Sequence, residues 1–313
     1  MQVFTATLEQ TAFLFLFIAL GYFLVKAKLL PENTQLVLSK LENYVFIPAL
    51  VLGTFLEYFT PEKITVTWKM LLFSLALELV ILPLTALLVK LCSKDSYERN
   101  IYRYGLCFSN FGFMGNAVVS AMFPDIFLEY LIFTLPLWTI IYLWGVPVLL
   151  MGDSSQKPTL RQRMKNFVNP MLICTVLGMI LGALSVPVPQ FIRSAVGSAS
   201  SCMSPVAMML TGMTIARFRL KDVVGIKGVY VCTALRLILL PALFLAVLAF
   251  VPVPEVFAIC AVCSLAMPLG LNTIIIPNAL GKDTRVAAGM ALVSHVVACL
   301  TIPMVFAVLK GLL

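Results

Sequence analysis

Residues 77–88, LELVILPLTALL, and residues 235–246, LRLILLPALFLA, carry the same apolar spacing around one proline, Pro83 in the first and Pro241 in the second, and set Glu78 opposite Arg236. The two prolines lie 158 positions apart (241 − 83) in a chain of 313 residues. Other landmarks repeat at 156 to 158: Gly21 on Gly178, Pro31 on Pro189, Pro48 on Pro205, Asn116 on Asn272 and Pro147 on Pro303. One coincidence would carry little, but six in span order argue for two similar halves.

The halves are too apolar for water. Hydrophobic residues make up 61% of the chain and charged residues 12%, at a mean hydropathy of +1.02, where a soluble domain has about 45–50% apolar residues. Such a chain needs the bilayer as a second solvent, which excludes a large extramembrane catalytic domain. Apolar runs of the length a spanning helix needs fall near residues 9–26, 35–56, 67–91, 100–121, 127–151, 168–185, 190–215, 228–251, 255–279 and 285–309. The first run follows no basic segment and precedes no small-residue cleavage site, so it reads as a spanning helix. The expected fold is all-α and integral to the membrane, with ten transmembrane helices. Residues 1–152 form the first five-helix repeat, 153–167 a basic cytoplasmic linker and 168–313 the second repeat.

The net charge of +8 sits in the gaps between apolar runs, which argues for topology signals and against a nucleic-acid partner. Alternate gaps hold sixteen Lys and Arg, against Lys63, Lys69, Arg193 and Lys310 on the other side. The positive-inside rule then puts the rich set in the cytoplasm of a cell-membrane protein and both termini outside. Because each repeat has an odd number of spans, the second enters from the opposite face. An inverted repeat of this kind is how many secondary transporters build two access states of similar energy.

The fourth and ninth spans are the irregular ones. Residues 107–124, CFSNFGFMGNAVVSAMFP, place Asn110, Gly112, Gly115 and Asn116 in one; residues 264–281, SLAMPLGLNTIIIPNALG, place Pro268, Gly270, Asn272 and Pro277 in the other. Gly costs a helix about 1 kcal/mol and Pro about 3, so both spans are expected to break. Broken backbone at membrane depth is tolerated where it is buried in protein or lines a cavity. Half-helix N-termini and freed N–H groups there suit an anionic substrate, with Asn110, Asn116 and Asn272 capping the breaks or holding that substrate. Close helix packing explains Gly112 and Gly115 equally well.

These stretches, with FIPAL through Pro48, AMMLTGM through Gly212 and the closing pattern at Asp283 and Pro303, together resemble a prokaryotic member of the auxin efflux carrier family, whose members include plant PIN auxin exporters and malonate-transporter-like proteins. The resemblance covers essentially the whole chain. It implies a scaffold subdomain and a transport subdomain whose helices 4 and 9 cross where they unwind. It also implies an elevator-type exporter of an auxin-like or other small carboxylate. One departure stands out: members typically carry G-I-P after the first break, and this chain has Gly115, Asn116 and Ala117. Lys40, eight residues before Pro48, and Glu78 match positions where plant members have a basic and an acidic residue beside the crossing.

Ionisable groups are scarce elsewhere. Every Asp falls in a loop, which argues against a sodium/proton antiporter built on membrane aspartates. Lys40, Glu42, Glu78, Arg236 and His295 lie in or near spans, where an unpaired charge costs several kcal/mol. Lys40 and Glu78 are expected either to pair for coupling and gating, or to form a static ion pair, or Lys40 to snorkel to the membrane surface. Arg236 would answer a charge on the scaffold or attract an anion, and His295 is a proton relay or a satisfied interior histidine. The eight cysteines are scattered through apolar runs, and Cys260 and Cys263 read as packing, so no metal or cofactor is expected. The parts of an intramembrane protease are missing. A bile-acid-type sodium symporter and a passive channel stay open, as do proton coupling and a homodimer.

Overall fold

The computed structural model describes residues 2–31, 33–151 and 169–313; the expected linker at 153–167, with Lys157, Arg161, Arg163 and Lys165, lies outside the described residues. Helices follow one another as α1 (Gln2–Lys26), α2 (Thr34–Tyr58), α3 (Ile64–Leu88), α4 (Ser96–Cys107), α5 (Phe111–Met122), α6 (Pro124–Leu150), α7 (Pro170–Ala183), α8 (Gln190–Ala216), α9 (Lys227–Leu248), α10 (Glu255–Leu265), α11 (Asn272–Ala279) and α12 (Arg285–Leu312). Among the described residues there is no strand, only an isolated antiparallel bridge between Ser109 and Leu269.

Helix lies over each of the ten apolar runs. Six helical segments, in α2, α3, α6, α8, α9 and α12, are long and apolar enough to cross a membrane. The other four runs hold shorter apolar segments, Ala12–Lys26, Phe111–Met122, Pro170–Ala183 and Glu255–Leu265. Two of these are short for the expected reason: the fourth run breaks after Cys107 and resumes at Phe111, and the ninth breaks after Leu265 and resumes at Asn272.

Local chemistry accounts for the ends and the irregular turns. Asp95 accepts from the Glu98 N–H at 2.8 Å to start α4, and Asn169 accepts from Leu172 N–H at 3.0 Å ahead of Pro170 to start α7. Wide π turns at Glu42–Phe46 and Leu235–Leu239 precede Pro48 and Pro241. Each proline lacks an N–H and crowds the carbonyl four residues back, so the preceding turn widens to absorb it.

Close packing falls where glycine permits it. Gly21 lies against the Met209 backbone and Gly212 against the Ile18 carbonyl, which seats α1 directly on α8. Gly178 and Gly182 take Phe55 and Phe59, seating α7 on α2. Without Cβ atoms, the backbones of such pairs approach to contact, as membrane helices do at small-residue stripes. α3 packs on α6, with Lys63 at its foot bonded to Glu129, and α9 packs on α12. α4 and α10 are sheathed by these elements: Ile101 to Cys107 apart from Arg103, and Ala258 to Leu265, are buried. Large apolar side chains such as Leu16, Leu79 and Phe250 face outward, as befits a surface bathed by lipid.

Candidate functional site

The two breaks meet. The Asn110 N–H donates to the Pro268 carbonyl at 2.7 Å, and Ser109 and Leu269 pair antiparallel, so the chain between α4 and α5 crosses the chain between α10 and α11. At that crossing four helix ends come together, and their partial charges differ in sign. The C-terminal ends of α4 and α10 present carbonyls; the N-terminal ends of α5 and α11 present N–H groups.

One side chain reaches both negative ends. Arg236, on the π turn of α9 and fully buried, donates from Nη1 to the Leu106 carbonyl at 2.8 Å and from Nη2 to the Ser264 carbonyl at 2.7 Å. Ser109 adds a hydroxyl donor to the same Ser264 carbonyl at 2.7 Å. The planar fork of a guanidinium suits two carbonyls at once, which a lysine could not match. Glu78 is the carboxylate that acts on Arg236 electrostatically, without closing an ion pair. The expected Glu78–Lys40 pairing is therefore corrected. Lys40 is exposed on α2, where its stem can carry the ammonium to water, while Glu78 is buried on α3 facing its repeat-mate Arg236.

The positive ends face a small cavity. Tyr104, Ser109, Asn110, Gly112, Trp138 and Asn272 are among the residues that line it, with Phe111, Phe113, Ile141, Gly270 and Leu271. Its volume is about 20 Å³, room for one water and no more. The two asparagine amides are occupied by protein: Asn110 Nδ2 lies 3.2 Å from His295 Nε2, and Asn272 Nδ2 donates to the Tyr104 hydroxyl at 3.1 Å. His295 Nδ1 sits 2.7 Å from the Ala291 carbonyl. If Nδ1 carries the proton for that carbonyl, Nε2 is left to accept from Asn110, which describes a neutral, satisfied imidazole.

The remaining expected site residues divide. Gly112 and Gly270 line the cavity because a side chain would not fit: a Cβ on Gly112 would sit 2.5 Å from the Trp138 ring, and one on Gly270 3.1 Å from the Ser109 carbonyl. Gly115 clears the Tyr130 hydroxyl, which donates to the Phe111 carbonyl at 3.1 Å. Pro268 contributes its carbonyl. Asn116 stands apart: it is buried on α5 one turn past the break, outside the residues that line the cavity. The chain resumes helical form at Phe111, five residues before Asn116. Tyr104 and Trp138 were missed by the sequence reading, because an aromatic in an apolar span carries no signal of its own.

A second, far larger cavity of about 580 Å³ opens beside the crossing. Asn33, Gln35 and Ser39 of the α2 end, Thr214 and Arg217 at the end of α8, and Ile274 and Ile275 of α11 line it. Phe113 and Leu271 line both cavities, so these two side chains stand between the large space and the crossing.

An all-helical body with lipid-facing apolar helices, and two broken helices crossing beside a cavity, defines a multi-pass membrane transport protein. A family model described as membrane transport protein matches residues 6–163 and 156–306. The chain belongs to that family, the auxin efflux carriers. No curated protein matches it.

Proposed function

We propose that this protein is a secondary transporter that carries a small organic anion, an auxin-like or other carboxylate, out of the cell by alternating access of the elevator type. The observation that carries this reading is the uneven treatment of the four helix ends. Arg236 answers a carbonyl at each C-terminal end, while residues that open α5 and α11, with Asn110 and Asn272, line the cavity. A carboxylate entering there would displace His295 and Tyr104 from the two amides and replace neutral hydrogen bonds with charge-assisted ones.

The large cavity borders the gaps rich in Lys and Arg, so the positive-inside rule makes it a cytoplasmic vestibule, and the structure an inward-facing state shut at Phe113 and Leu271. Both termini are then extracytoplasmic. Two halves of five spans, 1–152 and 168–313, supply the alternative state by exchanging conformations. Paired contacts support the inversion: Gly21 meets Met209, and the positions 157 residues away from them, Gly178 and Leu52, meet each other. Asn110 and Asn272 bind substrate, Gly112 and Gly270 leave room for it, and Arg236 with Glu78 holds the crossing together.

Proteoliposomes test this with labelled malonate and indole-3-acetate as probes. Saturable uptake accelerated by unlabelled anion on the far side, and lost in Asn110→Ala, is the expected result. Flux that never saturates would replace the carrier with a channel. Uptake that requires sodium would favour a bile-acid-type symporter.

A further inference from the structure

Glu42 has no role in the crossing, yet it is the most completely buried carboxylate among the described residues, with no exposed surface. It sits in the π turn that interrupts α2, packed against α8. Neither carboxylate oxygen has a hydrogen-bond partner; the Ala207 backbone N–H of α8 lies near without completing one. No described cation reaches it. The titratable groups on the elements packed around it are Lys40 and Tyr44 beside it on α2, Glu57 and Tyr58 at the far end of α2, Cys174 on α7, and Arg193 and Cys202 on α8; none of them acts on it electrostatically.

Its neighbours along the helix lead to water. Gln35 and Ser39 line the large cavity, and spacings of four and then three residues place Gln35, Ser39 and Glu42 on one face of α2. Gln35 donates to the Thr214 hydroxyl and keeps its own carbonyl oxygen unpartnered. A polar track therefore runs from the open cavity to one turn short of an unpaired buried carboxylate. Nothing in the packing needs an acid there, since glutamine or leucine would fill the volume without an orphaned charge.

We propose that Glu42 is a proton-binding site of the carrier, loaded and unloaded through the large cavity by way of Ser39 and Gln35. The step is a simple exchange: the carboxylic acid releases its proton to cavity water and becomes a carboxylate, and takes one back from water on return. It deepens the transport reading by naming the coupled species, and it rests on that reading only for the coupling. The charged form is unfavourable against apolar α8, so loading and unloading shift the packing of α2 on α8, the wall along which the cavity opens.

Infrared spectra of the purified protein in lipid nanodiscs, titrated from about pH 5 to about pH 9, read the site without substrate. A protonated-carboxyl band that disappears on titration in wild type and in Glu78→Gln, is absent in Glu42→Gln and is displaced in Glu42→Asp is the expected result. A titrating band that survives in Glu42→Gln, or a band of Glu42 that does not titrate, would overturn the proposal. Glu42→Asp carries the test if Glu42→Gln fails to fold. In proteoliposomes, a several-fold pH dependence of malonate or indole-3-acetate flux in wild type should flatten in Glu42→Gln; an unchanged pH profile would sink the coupling. Absence of flux for every carboxylate, with the titrating band intact, would fault the substrate reading and leave the proton site standing.

Discussion

The crossing and the seam between α1 and α8 bury backbone in opposite ways. At the seam Gly21 lies within α1 and Gly212 within the unbroken Met203–Ala216 stretch of α8, and the two glycines simply let the helices touch. At the crossing the helices are cut, and side chains must finish what the backbone leaves open: Arg236 and Ser109 at the carbonyl ends, Ser294 for the Leu269 N–H at 3.1 Å, and Thr273 for the Gly270 carbonyl at 2.8 Å. The seam needs only small volume, whereas the crossing needs specific donors at specific points. Intact backbone suits a part that holds shape; interrupted backbone suits a part that must give its polar groups to something else.

The largest expected effect breaks the crossing. Arg236→Met leaves the Leu106 and Ser264 carbonyls short of a buried donor and Glu78 without its counter-charge, which should cost about 3 kcal/mol or more. Thermal denaturation in detergent should show a large drop in Tm, and Arg236→Lys should fail to restore it. A wild-type Tm would mean that the carbonyl ends are answered by water.

Gly212→Val attacks the seam instead. Its Cβ would collide with the Ile18 carbonyl, so α1 and α8 must separate, at about 1–3 kcal/mol. The expected signature is lower stability with unchanged carboxylate affinity in the folded fraction, which would separate the seam from the site. Loss of affinity equal to that of a crossing variant would erase the contrast.

Asn110→Ala and Asn272→Ala are expected to cost stability modestly, about 1 kcal/mol each, because each removes one neutral hydrogen bond. Labelled-anion transport should nevertheless fall more than about tenfold, the loss of a charge-assisted bond to the bound carboxylate. Equal losses of stability and transport would reduce the asparagines to caps.

Smallest of all, Lys40→Met should leave stability and transport within about 0.5 kcal/mol of wild type, since the residue is exposed and pairs with neither Glu78 nor the cavity lining. A loss like that of Arg236→Met would restore Lys40 to the crossing.

Membrane residence, the ten apolar runs and the two broken spans were legible in the sequence because each is a local or periodic property. Hydropathy marks a span by length alone, and Gly112, Pro268 and Gly270 mark a break wherever the chain goes. Asn110 and Asn272 were legible too, since an amide beside a break has few ways to be satisfied. The partners of those residues were not. Glu78 could have met Lys40 or Arg236, and only the packing of α3 against α9 decided for Arg236. Asn116 repeats Asn272 in sequence, but one begins its half-helix and the other lies a turn inside. Tyr104, Trp138, Phe113 and Leu271 look like ordinary core, and Glu42 like one more ionisable group in or near a span. Which of them meet water, a cavity or each other depends on contacts across well over a hundred residues, and only the tertiary structure brings those together.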